Sequence, residues 1–370
     1  TVFAKREGGT YDDIIPDRAF DNKKSLYYFA FPEKITEIGQ YAFRGSSISG
    51  ALVIPDDVKI IWGEAFHTTN ISSLVLAPGV EIIGHNAFYE CSSLSGTLTL
   101  PEVLRYVGSQ AFAFCGFSGN LILPNSLEYI GTEAFYSAGK FVGGLRIPDK
   151  ITKIYRRSFE GFNSGKYIAY SGTLDLNNVV EMQYGSFWHT GLQGELIIPE
   201  GVVNIPKSCF YQSKLSSVKF PSTLKTIESE AFWNNSRLTC DLIFPEGMIL
   251  IGAMAFQNCG NIQKLEFPSS LQTIQSNAFN NCYGVSSIIC HSTEPPTVQS
   301  GAFDGVPKDN FTVEVPANAV NRYATDPVWG QFKRISAHYD FSISRRQARA
   351  LNTEISKNYT LRAPANHSWS

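Results

Sequence analysis

One short pattern recurs along the chain about every 23 residues, and this repetition limits the fold more than any other feature. FPSSLQTIQSNAF occupies residues 267–279, and close variants occupy residues 220–232 and 123–135. Each copy ends in a phenylalanine, and successive copies are 22 to 28 residues apart. A unit this short cannot enclose its own core, so the repetition predicts a solenoid whose stacked copies share one apolar interior. The aligned phenylalanines are Phe20, Phe43, Phe66, Phe88, Phe112, Phe135, Phe159, Phe187, Phe210, Phe232, Phe256, Phe279 and Phe303.

The residues before each phenylalanine predict the local structure of a copy. A short alternation of apolar and other residues closed by proline, such as LVIP at residues 52–55, predicts a very short strand with its middle side chain outward. Gly84 and Gly108 mark a tight bend, and the phenylalanine segment is expected to form one helical or 3₁₀ turn. The predicted fold is an α/β-type repeat solenoid of about 12 to 13 short-strand repeats, shaped as a curved rod.

The repeat, written roughly as LxIPxxLxxIGxxAFxxCxxL, resembles the BspA-like leucine-rich repeat family, which occurs in surface proteins of bacteria and some protists. The match runs from about Ile15 to Val298. Such families commonly end in a similar series of residues that caps the array. Here the matching residues are Pro295, Pro296, Phe303, Val315, Pro316, Tyr323, Trp329 and Phe332.

The repeat and its resemblance divide the chain into three parts. Residues 1–290 are predicted to form the solenoid, residues 291–336 the capping repeat, and residues 337–370 a linker or the start of an incomplete β-rich segment. The interval before Phe187 is the longest, at 28 residues, and Asn177 replaces the usual proline in that copy. We expect this copy to carry a loop that bulges from the array.

The composition of the chain argues against nucleic acid as a partner and against a membrane-spanning segment. With 31 Lys and Arg against 33 Asp and Glu, the net charge of −2 gives no electrostatic basis for binding nucleic acid. No run approaches 18 apolar residues, so no transmembrane segment is expected, and no signal peptide is visible at the start. The resemblance implies an extracellular or cell-surface location. Oligomeric state stays open.

The sequence contains no recognisable reaction centre. The six histidines have no partners at metal-ligand spacing, and no nucleotide or nucleophile motif occurs, so no catalytic residue, metal site or cofactor is predicted. The glutamates two residues before Phe66, Phe135 and Phe232 are interpreted as the solvent face of the helical turn. Four of the seven cysteines follow a column phenylalanine by three residues; they are either buried apolar side chains or disulfide partners between stacked copies.

Two columns are candidates for binding a partner. The residue directly after the phenylalanine is aromatic in five copies, and stacking would align these rings as a partly exposed stripe or pack them over the next turn. The outward strand position would line the concave face, where repeat proteins often bind ligands, although β-branched residues also simply favour sheets. The candidate residues are Tyr89, Tyr136, Trp188, Tyr211 and Trp233 in the first column and Val53, Val75, Ile122 and Ile197 in the second.

The resemblance implies a non-enzymatic protein, secreted or displayed at a cell surface, that adheres to host matrix protein, other cells or glycan through the solenoid surface. Its ligand is expected to be a protein or a glycan. Two alternatives remain: a structural spacer that presents another domain, and an accessory module that recruits polysaccharide.

Overall fold

The structure is a computed structural model that describes residues 13–32, 34–163, 166–167 and 170–338. It is a solenoid of about 14 turns that follow one another about 23 residues apart, as the repeat predicts. Each regular turn has three parts, which we call the front strand, the rear strand and the Phe turn. The front strand precedes the proline, the rear strand contains the residues six and five before the phenylalanine, and the Phe turn surrounds the phenylalanine.

The helices and strands are short and follow one another closely. In chain order they are β1 (Ile14–Ile15), β2 (Glu37–Ile38), β3 (Ser49–Val53), β4 (Ile60–Ile61), β5 (Asn70–Val75), β6 (Ile82–Ile83), β7 (Tyr106–Val107), β8 (Phe117–Gly119), β9 (Tyr129–Ile130), β10 (Gly139–Phe141), β11 (Leu145–Arg146), β12 (Lys153–Ile154), β13 (Phe162–Asn163), β14 (Lys166–Tyr167), β15 (Leu174–Asp175), β16 (Glu181–Met182), β17 (Gln193–Ile197), β18 (Asn204–Ile205), β19 (Lys214–Lys219), β20 (Thr226–Ile227), β21 (Leu242–Ile243), β22 (Leu250–Ile251), β23 (Lys264–Phe267), β24 (Thr273–Ile274), β25 (Ser287–Cys290), β26 (Thr297–Val298), β27 (Val313–Val315), helix α1 (Val320–Thr325), a 3₁₀ helix (Trp329–Gln331) and β28 (Ile335–Ala337).

The rear strands pair in parallel from one copy to the next. They form a six-stranded sheet in the order β1-β2-β4-β6-β7-β9, the pair β12-β16 and a five-stranded sheet in the order β18-β20-β22-β24-β26. Their second residue points inward, and Ile38, Ile61 and Ile83 are fully buried. This apolar column, five residues before each phenylalanine, therefore forms one wall of the core.

The front strands also pair in parallel, in sheets such as β3-β5, β17-β19 and β21-β23-β25-β27-β28. Their register sets Leu52 beside Leu74 and Val53 beside Val75. The leucines are buried and the valines are exposed, because successive side chains of a strand point to opposite faces. The register thus aligns the outward residues of successive copies into one column.

The Phe turns stack the phenylalanine rings along the length of the core. From Phe20 to Phe303 the centroids of consecutive rings lie 5.1–5.8 Å apart and their planes differ by at most 19°. Every ring of the column from Phe43 onward is buried. Burying a phenylalanine contributes about 1.5–3 kcal/mol, so this column accounts for much of the cohesion between copies.

The prediction of a helical or 3₁₀ turn at the phenylalanine is wrong. Within the described ranges, helical structure is confined to α1 and the 3₁₀ helix, so the fold consists almost entirely of strands and turns rather than of the α/β type. In the Phe turn, the residues two before and two after the phenylalanine adopt positive φ, as at Glu64 (55°) and Thr68 (55°). A right-handed helical turn cannot include such residues.

Backbone hydrogen bonds account for this conformation. The N–H groups of Tyr41, Phe43 and Gly45 donate to carbonyl oxygens of the next copy, at 3.0, 2.7 and 2.8 Å. The intervening Ala42 N–H instead donates within its own turn, to the Gly39 oxygen at 3.2 Å. Along the Phe turn, successive backbone N–H groups therefore donate alternately to the next copy and to their own copy. This pairing of buried amides offsets the cost of the left-handed residues.

The glutamates predicted on the solvent face of a helical turn, Glu64, Glu133 and Glu230, occupy the first left-handed position. They are only partly exposed, and each carboxylate lies near a cation of a neighbouring copy, Lys207 at 3.6 Å in the case of Glu230. Glu64 lies 3.5 Å from Arg44, and Glu133 lies 3.4 Å from Arg157. The column is therefore a set of ion pairs between copies.

The tight bend predicted at the glycines exists, and its cause is the close approach of neighbouring backbones. A Cβ on Gly84 would lie 2.5 Å from the Gly63 nitrogen, and a Cβ on Gly108 would lie 2.5 Å from the His85 nitrogen. Real Cβ contacts are essentially never this short. Glycine therefore lets consecutive copies stack at this corner.

All seven cysteines are free, so the four that follow a column phenylalanine form no disulfides between copies. These four are buried, as their interpretation as small apolar side chains predicts. Each thiol lies 3.1–3.2 Å from the carbonyl oxygen of the phenylalanine one copy earlier and donates to it. The residues are Cys91, Cys115, Cys259 and Cys282.

The front-strand ladder continues past residue 290, because β25, β27 and β28 belong to one sheet. Beyond it, Trp329 packs against Phe303 with 5.4 Å between ring centroids, and Tyr323 and Phe332 are buried beside it. These residues cover the end of the phenylalanine column. The domain boundaries themselves stay a prediction, and residues 339–370 lie outside the described ranges.

The loop expected in the 28-residue interval between Phe159 and Phe187 is present. Strands β13 and β14 pair in antiparallel fashion there, unlike the parallel ladders of the solenoid. Asn177, which replaces the usual proline, has φ of 47°, and its N–H donates to the Asp175 carboxylate at 3.0 Å. A short hairpin thus interrupts the regular copies between β12 and β15.

Candidate ligand-binding surfaces

The outward column of the front strands is an exposed apolar surface. Val53, Val75, Ile122 and Ile197 are 58%, 55%, 69% and 55% exposed, respectively. Aliphatic side chains this exposed gain little from the fold itself. The strand register sets Val53 beside Val75, and Ile197 lies in β17, whereas Ile122 occupies the same position of the repeat outside the strands. We call Val53, Val75, Thr99 and Ile122 the apolar strip, because no charged residue interrupts this column between the first and the last of them.

Charged residues enter the column beyond the apolar strip. Arg146 pairs with Asp149 at 2.6 Å and lies 3.5 Å from Asp175 in the next copy. Farther along, Ile197 is followed by Lys219, which pairs with Glu195 at 3.0 Å. The later part of the column thus alternates between isoleucine and paired charges. Its chemistry differs from that of the apolar strip.

The aromatic residues that follow the phenylalanines lie on the Phe-turn side, so they do not form one site with the front column. Tyr89, Tyr136, Trp188, Tyr211 and Trp233 are all only partly exposed. Neighbouring rings meet edge to face, as between Tyr211 and Trp233, whose centroids are 4.4 Å apart at 80°. Much of each ring therefore packs against its neighbours, and a ligand contact on this column stays a prediction.

A buried ion pair lies beneath the aromatic column. Arg157 donates to both carboxylate oxygens of Glu160, whose side chain is 2% exposed. The Arg157 guanidinium also lies 4.5 Å above the Tyr136 ring and 5.7 Å from the Trp188 ring. Burial raises the pKa of Glu160, against the opposing effect of Arg157. The pair therefore holds three copies together at the cost of a desolvated carboxylate.

A second aromatic group, not predicted from the sequence, lies on and just after the rear strands. The rings of Tyr106 and Tyr129 stack at 4.6 Å and 7°, and Tyr155 follows at 5.2 Å. Trp62 is 43% exposed, and its indole N–H donates to Glu37 at 2.7 Å. Tyr106 and Tyr129 share the outward rear-strand position, six residues before the phenylalanine. Comparing that position across copies would have revealed them.

Histidine and glutamate pair twice at the end of the front-strand ladder. His291 lies 3.0 Å from Glu266, and His338 lies 2.7 Å from Glu314.

Over the part of the chain that the structure describes, no three His, Cys, Asp or Glu side chains are grouped so that they could hold a metal ion. Over that same part, no helix has the length and apolar character needed to cross a membrane.

Comparison with known families agrees with the geometry of the copies. A model of the BspA-type leucine-rich repeat region, which itself spans six copies, matches residues 13–141, 95–213, 141–240 and 203–324. The chain belongs to this BspA-type leucine-rich repeat family. The resemblance of the sequence pattern to that family is thereby confirmed. No curated protein sequence matches this BspA-type chain.

Solved structures similar to the BspA-type chain are bacterial proteins of low sequence identity. A leucine-rich repeat protein from Bacteroides ovatus is 18% identical, with a TM-score of 0.49 over 91% of this chain and 97% of that one. A leucine-rich cell surface protein from Faecalibacterium prausnitzii is 22% identical, with a TM-score of 0.45 over 79% and 88%. The pneumococcal vaccine antigen PcpA is 17% identical, with a TM-score of 0.41 over 88% and 77%.

Proposed function

We propose that this chain is a non-enzymatic binding protein, secreted or displayed at a cell surface, and that its front-strand column contacts a protein ligand. The observation that carries the proposal is the exposure of four aligned aliphatic side chains, between 55% and 69%. Exposed apolar patches on a soluble surface commonly mark sites of protein association. Membership of the BspA-type repeat family supports a location at the cell surface.

The chemistry of the column favours a protein over a glycan. Valine and isoleucine side chains offer no hydrogen bonds to sugar hydroxyls, whereas they fit the apolar centre that protein interfaces bury. A structural spacer, the first alternative, has no need of aligned and exposed aliphatic residues. The proposal therefore assigns the ligand contacts to Val53, Val75, Ile122 and Ile197.

The partly exposed aromatic column supports glycan as a second candidate ligand, and with it the role of a polysaccharide-recruiting module. Tyrosine and tryptophan provide large contact areas with little conformational entropy to lose. A glycan array probed with the parent chain and a Trp188→Ala/Trp233→Ala variant tests this candidate. Glycan binding that the double variant loses would support it, and equal signals from both proteins would exclude these two residues.

A variant that keeps strand propensity tests the front column. We expect Val53→Thr/Val75→Thr/Ile122→Thr/Ile197→Thr to lower affinity for a protein ligand by at least roughly tenfold, since hot-spot side chains each contribute more than about 1 kcal/mol. The measurement is surface binding of the full chain to a panel of purified extracellular-matrix proteins, including collagen, laminin and fibronectin. Threonine keeps the β-branched shape, so thermal unfolding should change little.

A control variant, Val180→Thr/Val203→Thr, changes two residues that are 47% and 51% exposed but lie outside the front column. It should bind as the parent chain does. No binding to the panel by any form, or equal loss in the control, would favour the spacer or a nonspecific apolar effect instead.

A further inference from the structure

The apolar strip has an acidic border on its proline side. Asp56 and Asp57 follow the front strand that contains Val53, and Glu102 follows Thr99 in the same relation. All three carboxylates are exposed. Among the described residues, none of the three lies within ion-pair distance of a Lys, Arg or His. The border therefore keeps its negative charge available to a partner.

The charge of the surrounding sequence reinforces this border. Residues 45–104 contain six acidic residues and a single Lys or Arg, Lys59, which gives a net charge of −5. Residues 105–160 contain seven basic and four acidic residues, which gives +3. The chain as a whole carries only −2. Negative charge is thus concentrated in the copies that carry Val53, Val75 and Thr99, whereas Ile122 lies at the start of the net-positive stretch.

Lys59 reduces this negative field only in part. Its ammonium lies beside Gly79, 2.6 Å from the place a Cβ on that glycine would take, so it stands on the same border as Asp56. Three carboxylates and one ammonium leave the border negative. A field of this kind attracts basic partners over about one Debye length, roughly 8–10 Å at physiological salt.

We propose that the apolar strip and its acidic border bind a basic, apolar segment of a protein, in which Lys or Arg residues flank aliphatic side chains. The aliphatic residues pack on Val53, Val75 and Ile122, while the cations face Asp56, Asp57 and Glu102. Nucleic acid would be repelled by the same carboxylates, and a neutral glycan would leave them unused. This inference rests on the proposed function and adds the charge of the partner.

Three synthetic peptides probe the charge directly: one alternates Val with Lys, the second Val with Ser, and the third Val with Glu. Fluorescence anisotropy with the full chain should give an affinity for the Lys peptide roughly tenfold above that for the Ser peptide at low salt, and weakest binding for the Glu peptide. Near 1 M salt the Debye length falls to about 3 Å, so the preference for Lys should disappear.

The variant Asp56→Asn/Asp57→Asn/Glu102→Gln should lose the preference for Lys and keep the affinity for the Ser peptide. A matched control removes three exposed carboxylates elsewhere, as Asp241→Asn/Glu294→Gln/Asp309→Asn, and should keep the preference. Equal binding of the Lys and Ser peptides, no binding of the Lys peptide, or equal loss in both variants would overturn the inference.

Two further outcomes distinguish binding of a basic protein segment from self-association and from the proposed function. If the parent chain forms a salt-sensitive dimer by light scattering and the Asp56→Asn/Asp57→Asn/Glu102→Gln variant is monomeric, the occupant is a second copy and the inference is wrong. If the Lys preference fails while the threonine variant of the front column still loses its matrix-protein ligand, the proposed function stands and the charge assignment alone falls.

Discussion

Phe135→Ala is expected to lower the free energy of unfolding by about 3–5 kcal/mol, the usual cost of removing a buried phenylalanine. The Phe135 ring is 1% exposed and stacks between Phe112 and Phe159, with 5.6 Å between centroids on each side. Its removal opens a cavity in the middle of the column, where copies on both sides depend on it. Denaturant unfolding followed by circular dichroism gives the change in stability.

The matched control for this substitution is Phe20→Ala in the first copy. Phe20 is partly exposed and has one neighbour in the phenylalanine column, Phe43, at 5.1 Å. We expect it to cost about half as much or less, since less apolar area leaves water there. Equal losses for the two variants, or a midpoint for Phe135→Ala that matches the parent chain, would contradict the stacking account.

Arg157→Met is expected to cost about 3–5 kcal/mol near pH 7, because it leaves the Glu160 carboxylate buried without its cation. Glu160 is 2% exposed, and Arg157 is its ion-pair partner. Methionine keeps much of the length and apolar volume of the arginine stem, so the loss reports on charge more than on packing. The measurement is thermal or denaturant unfolding over a range of pH.

The pH dependence of this variant has a definite sign. Burial already raises the pKa of Glu160 in the parent chain, and loss of Arg157 removes a group that lowers it. A carboxyl whose pKa is higher in the folded state binds its proton more tightly when folded, so stability rises as pH falls from the folded pKa toward the unfolded value of about 4.3. The Arg157→Met deficit should therefore shrink on acidification through that window.

Arg156→Met provides the comparison, since the Arg156 side chain is 54% exposed and lies 3.8 Å from Glu133. A long pair with an exposed guanidinium contributes about 0–1 kcal/mol, and Glu133 keeps Arg157 as a nearer partner. We expect little loss of stability from Arg156→Met and a weaker pH dependence than that of Arg157→Met, since Arg156 lowers the pKa of Glu160 less than Arg157 does. A deficit for Arg157→Met that is small at pH 7, or that grows as the pH falls, would refute the assignment of Glu160 as a buried carboxylate dependent on Arg157.

The repeat itself made the core predictable. Each inward position occurs in about a dozen copies, so the positions that are mostly Phe, Ile or Leu can be told from the positions whose residues vary. The register of parallel strands then places equivalent residues of neighbouring copies side by side, which is why the exposure of Val53 and Val75 followed from alternation alone.

The conformation of the Phe turn could not be predicted in the same way. Its left-handed positions are occupied by residues as different as Tyr41, Glu64, Asn86 and Met254, so no glycine column marks them. They are held there by hydrogen bonds to the next copy, which a single repeat does not reveal. Local propensity favoured a helical turn, and pairing between copies overrode it.

The exposure of the aromatic residues that follow the phenylalanines also depends on side chains of neighbouring copies, and not on their spacing in the sequence. Tyr89 and Tyr136 are both packed against Phe114, a residue two positions after its own phenylalanine and outside the aligned column. Arg157 covers part of Tyr136 from the following copy. These contacts join different positions of different copies, so an alignment by column does not contain them.

Methyl NMR tests the central claim, that the front-strand column is the ligand-binding surface, most directly. The full chain, labelled at its isoleucine and valine methyl groups, is titrated with the tightest matrix-protein ligand of the panel. The account predicts shifts or broadening at Val53, Val75, Ile122 and Ile197, with Val180 and Val203 unchanged. Changes centred on Val180 and Val203, with the front column undisturbed, would contradict it.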